Sequence, residues 1–147
     1  MYTFKWSSGI NSQVYNDSIS VRHEVFIKEQ NISESTELDG VDNERVHLVC
    51  YDETSRPIGT ARVYFVRPNQ LKIQRVAVLK EARLKHIGLK LLNEIEAYAK
   101  KHHANKLVLS AQDSVLSFYK KAGFILDDTP GYMDAGIPHH DMYKILN

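Results

Sequence analysis

The stretch Arg83–Gly88, with the sequence RLKHIG, has residue types that can bind a phosphate group. It carries the charges of Arg83 and Lys85 and leads into a helical apolar pattern, so its backbone N–H groups precede the first intrahelical hydrogen bond. Such free donors lie at the positive end of the helix dipole, where a phosphate or pyrophosphate is stabilised. Taken alone, the same stretch is also consistent with a solvated basic loop before an ordinary helix.

Two other sets of residue types could carry chemistry, but both favour structural roles. The adjacent pairs His102–His103 and His139–His140 point in diverging directions, and no cysteine has zinc-like spacing, so no metal site is predicted. Cys50 lies in the apolar run LVCY and is expected to be a small core residue rather than a nucleophile.

Three strand patterns precede the basic loop. His47–Tyr51, Ile58–Val66 and Leu71–Val78 are separated by the turn-forming sequences DETSRP and RPNQ, which predicts an antiparallel meander. Strict alternation in the third strand predicts that four of its residues share one face: Leu71, Ile73, Arg75 and Ala77.

The residues after the loop alternate between helical and strand patterns. Apolar residues recur at helical spacing over Ile87–Ala99, and the following strand pattern, Lys106–Ala111, is expected to run parallel to the third strand through a right-handed crossover. A short helix reaches Lys121. The Gly-, Pro- and Asp-rich segment Asp127–His140 predicts a loop, and Met142–Leu146 predicts a last strand.

The N-terminal third has weaker patterns. Alternating aromatic residues predict a strand over Tyr2–Trp6, and Asn16 or Asp17 is a candidate cap for a helix that ends near Gln30. The acidic, turn-forming segment Asn31–Asn43 predicts an exposed loop with room for a short helical turn.

Composition limits the classes of function. The 147 residues fit a single domain, 1–147, and 19 basic against 18 acidic side chains leave a net charge of +1, which argues against nucleic-acid and membrane-surface binding. The single cysteine and the absence of an apolar signal-peptide stretch favour a cytoplasmic protein. The sequence is compatible with a monomer or a homodimer.

Several short motifs follow one another in order, and together they resemble the GNAT N-acetyltransferases, more narrowly their ElaA-like branch. The loop Arg83–Gly88 departs from the family pattern Gln/Arg-x-x-Gly-x-Gly/Ala at His86, a residue type that tolerates positive φ better than most. The other motifs are Val21–Gln30, Glu37-x-Asp39-x-x-Asp42, Gly59–Arg62, Lys72–Val78, Ser110–Gln112, Phe118-Tyr119-x-x-x-Gly123-Phe124 and Gly136–His139.

The resemblance implies an α/β fold, a single GNAT domain with a mixed, splayed central sheet and helices on both faces. It implies that acetyl-CoA binds between the fourth and fifth strands, with its pantetheine along the backbone of Val76, Ala77 and Val78, whose N–H groups also polarise the thioester carbonyl. Tyr119 matches the residue that protonates the departing thiolate in many members. The implied pyrophosphate site comprises Arg83, Leu84, Lys85, His86, Ile87, Gly88 and Leu89.

The general base is ambiguous, because Gln74 stands where the ElaA-like pattern usually has Glu and an amide cannot act as a base. The candidates are Asp39, Asp42 and His139, and His139 ranks first because the ordinary pKa of histidine suits proton transfer near neutrality. A water relay without a single base is the alternative. Asp39, Asp42 and Gln74 are expected to contact the acceptor.

The sequence therefore predicts an acetyl-CoA-dependent N-acetyltransferase that acetylates an amine of a small molecule or peptide by direct transfer. The acidic segment suggests a cationic acceptor, whose identity the sequence does not specify. The alternative is a non-catalytic CoA or acyl-CoA sensing module, which the departures at Gln74 and His86 keep open.

Overall fold

A computed structural model describes residues 1–147 and contains eight strands joined in one sheet. All neighbouring strands are antiparallel except the parallel pair β4 and β5, and the order is β1-β2-β3-β4-β5-β8-β6, with β7 paired to β8. This mixed sheet confirms the predicted fold class. The strands are β1 (Thr3–Ser8), β2 (Val46–Tyr51), β3 (Pro57–Arg67), β4 (Gln70–Val78), β5 (Lys106–Gln112), β6 (Ile125–Leu126), β7 (Tyr132–Asp134) and β8 (Ile137–Ile145).

Helices cover both faces of the sheet. A side chain at Gly59 of β3 would lie 3.0 Å from Ile87 and 3.2 Å from Leu91, so the third helix packs directly on that face. Arg62, three residues further along β3, points to the other face, where it shares the Asp42 carboxylate with Arg22 of the first helix. None of the helices has the length and apolar character needed to cross a membrane. They are α1 (Gln13–Arg22), which continues as a π-helical segment (His23–Glu29), α2 (Glu34–Glu37), α3 (Ile87–Lys101) and α4 (Leu116–Lys121).

Strand β4 contains a bulge. Arg75 and Val76 lie opposite the single residue Ala61 of β3, and Arg75 has the left-handed φ of +56°. The extra residue places the side chains of Ala77 and Gln74 on the same face of the sheet, because their partners in β3, Thr60 and Arg62, are two residues apart. Strict alternation does not foresee a bulge. The prediction that Leu71, Ile73, Arg75 and Ala77 share one face is therefore wrong.

Beyond the start of the bulge, β4 separates from β5. The parallel pairing ends with Ile73 opposite Leu109, whereas the rest of β5, through Gln112, continues to pair with β8. A cleft therefore opens between the carboxyl-terminal parts of β4 and β5, as the splayed sheet predicted from the family resemblance requires.

The acidic segment 31–43 is mostly exposed and contains the short helical turn that the sequence allowed for, but the prediction of exposure is wrong for two of its acids. The side chains of Glu37 and Asp42 are only 2% and 8% exposed. Arg22, also buried, donates from Nε and Nη2 to the two Glu37 carboxylate oxygens, each at 2.8 Å, and from Nη1 to Asp42 at 2.9 Å. Composition suggested solvent exposure because it does not reveal that a distant arginine neutralises these acids.

Strand β3 supplies a second buried arginine to the same cluster. Arg62 donates from Nη1 to Asp42 at 2.9 Å and from Nη1 and Nη2 to the two oxygens of Asp39 at 3.0 and 2.6 Å. Together with Arg75, which contacts Glu37 and Asp39, these residues form what we call the arginine–carboxylate network. Its members are Arg22, Glu37, Asp39, Asp42, Arg62 and Arg75.

Helix α1 begins earlier than predicted. Its N-cap is Ser12, whose Oγ accepts a hydrogen bond from the Tyr15 N–H at 3.0 Å. Asn16 and Asp17 lie inside the helix, and Asp17 instead accepts a hydrogen bond from the Tyr51 hydroxyl at 2.6 Å. The predicted helix end near Gln30 agrees with the end of the π-helical segment at Glu29.

The last strand also begins earlier than predicted. β8 starts at Ile137 rather than Met142, because its first residues pair with β7 in a hairpin. The predicted loop Asp127–His140 therefore contains two strand segments, and His139 lies within regular sheet structure opposite Gln112 of β5.

Replacing Arg22 by Met is expected to lower the free energy of unfolding by about 3–5 kcal/mol, because removing one partner of a buried ion pair leaves carboxylates uncompensated. Arg67→Met is the matched control. Arg67 is exposed and forms no ion pair, so its loss should change stability by at most about 0.5 kcal/mol. Urea denaturation of both variants measures the difference, and equal stabilities would contradict a structural role for the network.

Candidate active site

A cavity of about 470 Å³ lies in the cleft between β4 and β5. Its lining brings together residues from the bulged strand, from α4, from β8 and from the acidic segment. Five residues that the sequence singled out are among them: Gln74, Val76, Tyr119, His139 and Asp39. These residues are distant in the sequence, so their convergence makes this cavity the candidate active site.

The backbone of β4 faces the cleft at alternate residues. The Leu79 N–H donates to Ile58 C=O of the β3 side at 2.9 Å, so by alternation the amide groups of Ala77 face β3 and those of Val76 and Val78 face the cleft. The Val78 C=O accepts a hydrogen bond from Arg83 Nε at 3.0 Å. Val76 and Val78 therefore offer N–H groups to a ligand in the cleft, whereas Ala77 does not.

Tyr119 of α4 is buried in the core and also lines the cavity. Phe118 and Phe124 pack against the ring with their edges, at centroid distances of 5.0 and 5.7 Å. The hydroxyl has no hydrogen-bond partner in the protein, and burial raises the pKa of Tyr119 well above its ordinary value. The group is therefore a protonated donor at neutral pH.

His139 is held in one tautomer. Its Nδ1 lies 2.7 Å from the C=O of Ile137, and a carbonyl only accepts, so Nδ1 carries the proton and Nε2 carries the lone pair. The ring of Tyr132 lies nearly parallel to the imidazole, with the centroids 6.1 Å apart. Nε2 makes no hydrogen bond within the protein, so a proton acceptor is available in the cavity lining.

The basic loop lies outside this lining, at the start of α3. Arg83 forms a bidentate ion pair with Glu29, with both N–O distances 2.6 Å, and this pairing raises the pKa of Arg83. Its charge is therefore partly neutralised before any ligand binds. Lys85 and Leu84 are exposed, and Leu84 is 97% accessible.

The start of α3 presents unpaired amide groups. His86 has a φ of +59°, which confirms that this position takes the left-handed conformation that glycine has in the family pattern. The first helical hydrogen bond runs from Lys90 N–H to His86 C=O at 3.1 Å, so the preceding N–H groups of residues 87–89 have no partner in the helix. A side chain at Gly88 would lie 2.9 Å from Phe118, so glycine is also required there for packing.

The two candidate aspartates differ in accessibility. Asp39 lines the cavity, and its hydrogen bonds with Arg62 lower its pKa to about 2. Asp42 does not line the cavity, because Arg22, Arg62 and the Tyr15 hydroxyl enclose it. The structure therefore separates Asp42 from the cavity, and both acids are bound by arginine.

Tyr132 lines the cavity and was not foreseen from the sequence. The Ser110 hydroxyl is hydrogen-bonded to the Tyr132 hydroxyl, which donates to Asp141 at 2.6 Å. These hydrogen bonds connect β7 to both β5 and β8. No sequence signal identified Tyr132, because its segment has the composition of a loop, and only the register of Ser110 opposite Asp141 brings the three side chains together.

Comparisons with known proteins agree with this geometry. A family model described as the acetyltransferase (GNAT) domain matches residues 11–146. The Bacillus subtilis protein YjcF, named an uncharacterized N-acetyltransferase, is 36% identical over 134 residues, which cover 91% of this chain and 94% of YjcF.

Solved structures share the fold. The crystal structure of Escherichia coli ElaA has a TM-score of 0.83 and 24% identity, covering 98% of this chain and 99% of ElaA. A GNAT family acetyltransferase from Elizabethkingia anophelis, crystallised with acetyl-CoA bound, has a TM-score of 0.72 and 17% identity, covering 99% of this chain and 98% of that one.

The low pKa of Asp39 predicts a pH dependence of stability. Because this pKa is about 2 in the folded protein and about 4 in an unfolded chain, the contribution of Asp39 is complete above about pH 4 and is lost as the pH falls toward 2. Asp39→Asn should therefore make the free energy of unfolding less dependent on pH in this window. Urea denaturation at several pH values measures the slope, and Asp128→Asn, at an exposed position, should keep the wild-type slope.

Proposed function

The chain belongs to the GNAT acetyltransferase family, and we propose that it transfers the acetyl group of acetyl-CoA directly to an amine of a small molecule or a peptide. Family membership makes the protein an acyltransferase. The observation that best supports the specific reaction is the shared cavity lining of Val76, Tyr119 and His139. The comparisons give no support to the alternative of a non-catalytic sensing module.

Acetyl-CoA, when bound, supplies an acetyl group activated as a thioester. The cleft-facing N–H groups of Val76 and Val78 suit the amide-rich pantetheine, and the Val76 N–H suits the thioester oxygen. The unpaired N–H groups of residues 87–89 suit the pyrophosphate, with Lys85 as a nearby positive charge. Because Glu29 already engages Arg83, we assign phosphate binding mainly to the backbone of this loop.

His139 is the general base of the proposal. Its Nε2 lone pair accepts the proton that the acceptor amine must lose, and the Ile137 C=O stabilises the resulting imidazolium through Nδ1–H. The other two candidates, Asp39 and Asp42, are weaker bases in this protein because Arg62 binds both carboxylates. Gln74 has only an amide and cannot act as a base. A water molecule between the amine and His139 is compatible with the same role.

Tyr119 is the general acid. As the new N–C bond forms and the C–S bond breaks, its hydroxyl donates a proton to the departing thiolate sulfur. No acyl-enzyme intermediate is required. Cys50 does not line the cavity, and burial raises the pKa of its thiol to about 11, so it is a poor nucleophile and direct transfer is the simpler reaction.

Tyr119→Phe is expected to lower the rate of CoA thiol release from acetyl-CoA by about 10²-fold while leaving CoA binding nearly unchanged, because only the proton donor is lost. Tyr98→Phe is the matched control, since the Tyr98 ring stacks on Trp6 away from the cavity. Unchanged turnover in Tyr119→Phe would remove this residue from the mechanism. If the wild type binds acetyl-CoA but releases no thiol across a panel of amines and peptides, the enzymatic proposal itself is wrong.

His139→Gln is expected to lower kcat/KM for the amine by about 10²-fold and to leave acetyl-CoA binding nearly unchanged, because only the proton acceptor is lost. His140→Gln is the control, because the neighbouring imidazole points to the other face of β8 and pairs with Asp113. Initial rates of thiol release and the affinity for acetyl-CoA are measured for both variants. A wild-type rate in His139→Gln would favour a water relay without this base.

A further inference from the structure

Two of the three carboxylates that line the cavity, those of Glu37 and Asp39, are paired with arginines, whereas the third, Asp134 of β7, is exposed and forms no ion pair. In the arginine–carboxylate network, the three acids Glu37, Asp39 and Asp42 are in contact with three arginines, so the network has no net charge. The expectation of a cationic acceptor rested on the charge of this segment alone. Because arginines pair with these acids, the charge of the segment no longer favours a cationic acceptor. The cavity groups that have no partner in the protein are then the ones available to bind an acceptor.

Gln74 presents a fixed pair of donors. Its Oε1 accepts hydrogen bonds from Arg62 Nε at 3.0 Å and from Arg45 Nε at 3.4 Å, and arginine nitrogens only donate. The amide therefore cannot be flipped, and its Nε2, with two N–H donors, makes no hydrogen bond within the protein. Arg45 is itself held in place, because its guanidinium lies 3.6 Å from the centroid of the Tyr64 ring.

Lys72 is a second unpartnered donor in the same lining. It precedes Gln74 by two residues in β4, before the bulge, so both side chains are on one face of the sheet. Lys72 takes part in none of the ion pairs of the protein. Two residues two positions apart on one face of β4, Lys72 and Gln74, therefore contribute to the cavity lining and have donor groups without an acceptor in the protein.

We infer that the acceptor is an amine that also carries a carboxylate, as an amino acid does, and that Lys72 and Gln74 bind this carboxylate. The inference rests on the proposed function, because it concerns the acceptor of that reaction. A charged ammonium and two N–H donors match a carboxylate in both charge and hydrogen bonding, whereas they repel a second ammonium group. His139, on β8 next to β5 and so on the other side of the cleft from β4, is then left to receive the proton of the amine.

The first test compares acceptors that differ only in the carboxylate: an α-amino acid, its carboxamide and the corresponding decarboxylated amine. We expect kcat/KM for the amino acid to exceed both others by at least about tenfold, the size of effect that a charged hydrogen bond gives. The amine of a carboxamide is less basic, which favours its reaction and so works against the expected order. Equal values, or a preference for the decarboxylated amine, would overturn the inference.

Variants then assign the preference to the two side chains. Lys72→Met should reduce kcat/KM for the amino acid by about tenfold and leave the decarboxylated amine, the KM for acetyl-CoA and the thermal midpoint unchanged. Lys72→Arg should restore the preference, and Gln74→Glu should weaken it by placing a negative charge beside the carboxylate. Lys101→Met, at an exposed position at the end of α3, is the control. An unchanged preference in Lys72→Met would contradict the assignment.

Calorimetry separates this inference from the proposed function. The amino acid should bind the protein in the absence of acetyl-CoA, at least about tenfold more tightly than the decarboxylated amine, and Lys72→Met should remove the difference. If no amine supports thiol release, the proposed reaction fails, and the binding experiment still decides whether a carboxylate site exists. Equal affinities would show that the inference is wrong even if transfer occurs.

Discussion

The structure depends on the burial of the arginine–carboxylate network between α1, the acidic segment and the sheet. Burying Arg22 with Glu37 and Asp42 removes charges from water, so the network contributes more to the position of these elements than to net stability. Arg62 extends the contact to β3, because it binds both Asp42 and Asp39. The acidic segment is consequently fixed in place, with Glu37 and Asp39 in the lining of the cavity.

The bulge in β4 is held by the same set of charges. A non-glycine residue with positive φ costs about 1–3 kcal/mol, and Arg75 offsets this strain with a hydrogen bond from Nη2 to the Glu37 C=O at 3.1 Å. Its Nε lies 3.2 Å from a Glu37 carboxylate oxygen without forming an aligned hydrogen bond. Pairing with β5 ends at Ile73, so the bulge lies beside the cleft. Arg75 in the bulge also contacts Glu37 and Asp39, which line the cavity.

The sequence identified features that depend on local chemistry. The positive φ of His86, the position of Tyr119 before Gly123 and the presence of Val76 in the cleft followed from short motifs, and the family prediction is confirmed. Features that depend on distant partners were missed. The acids of segment 31–43 looked solvated because Arg22 and Arg62 are far away in the sequence, and the strand that carries Tyr132 looked like a loop because its pairing with β8 compensates for a poor strand composition.

The change at position 74 connects the proposed base to the proposed acceptor. A glutamate here, as in the ElaA-like pattern, would lie beside Arg62 Nε and Arg45 Nε, which would lower its pKa and weaken it as a base. The Gln74 amide keeps the contacts with both arginines through Oε1, and its Nε2 retains two N–H donors that have no partner in the protein. In the proposed reaction, proton removal then requires a group outside the network, and His139 is the proposed base. With Gln74 the position offers hydrogen-bond donors instead of a carboxylate, which is why the proposed acceptor carries an anionic group and is not simply a cationic amine.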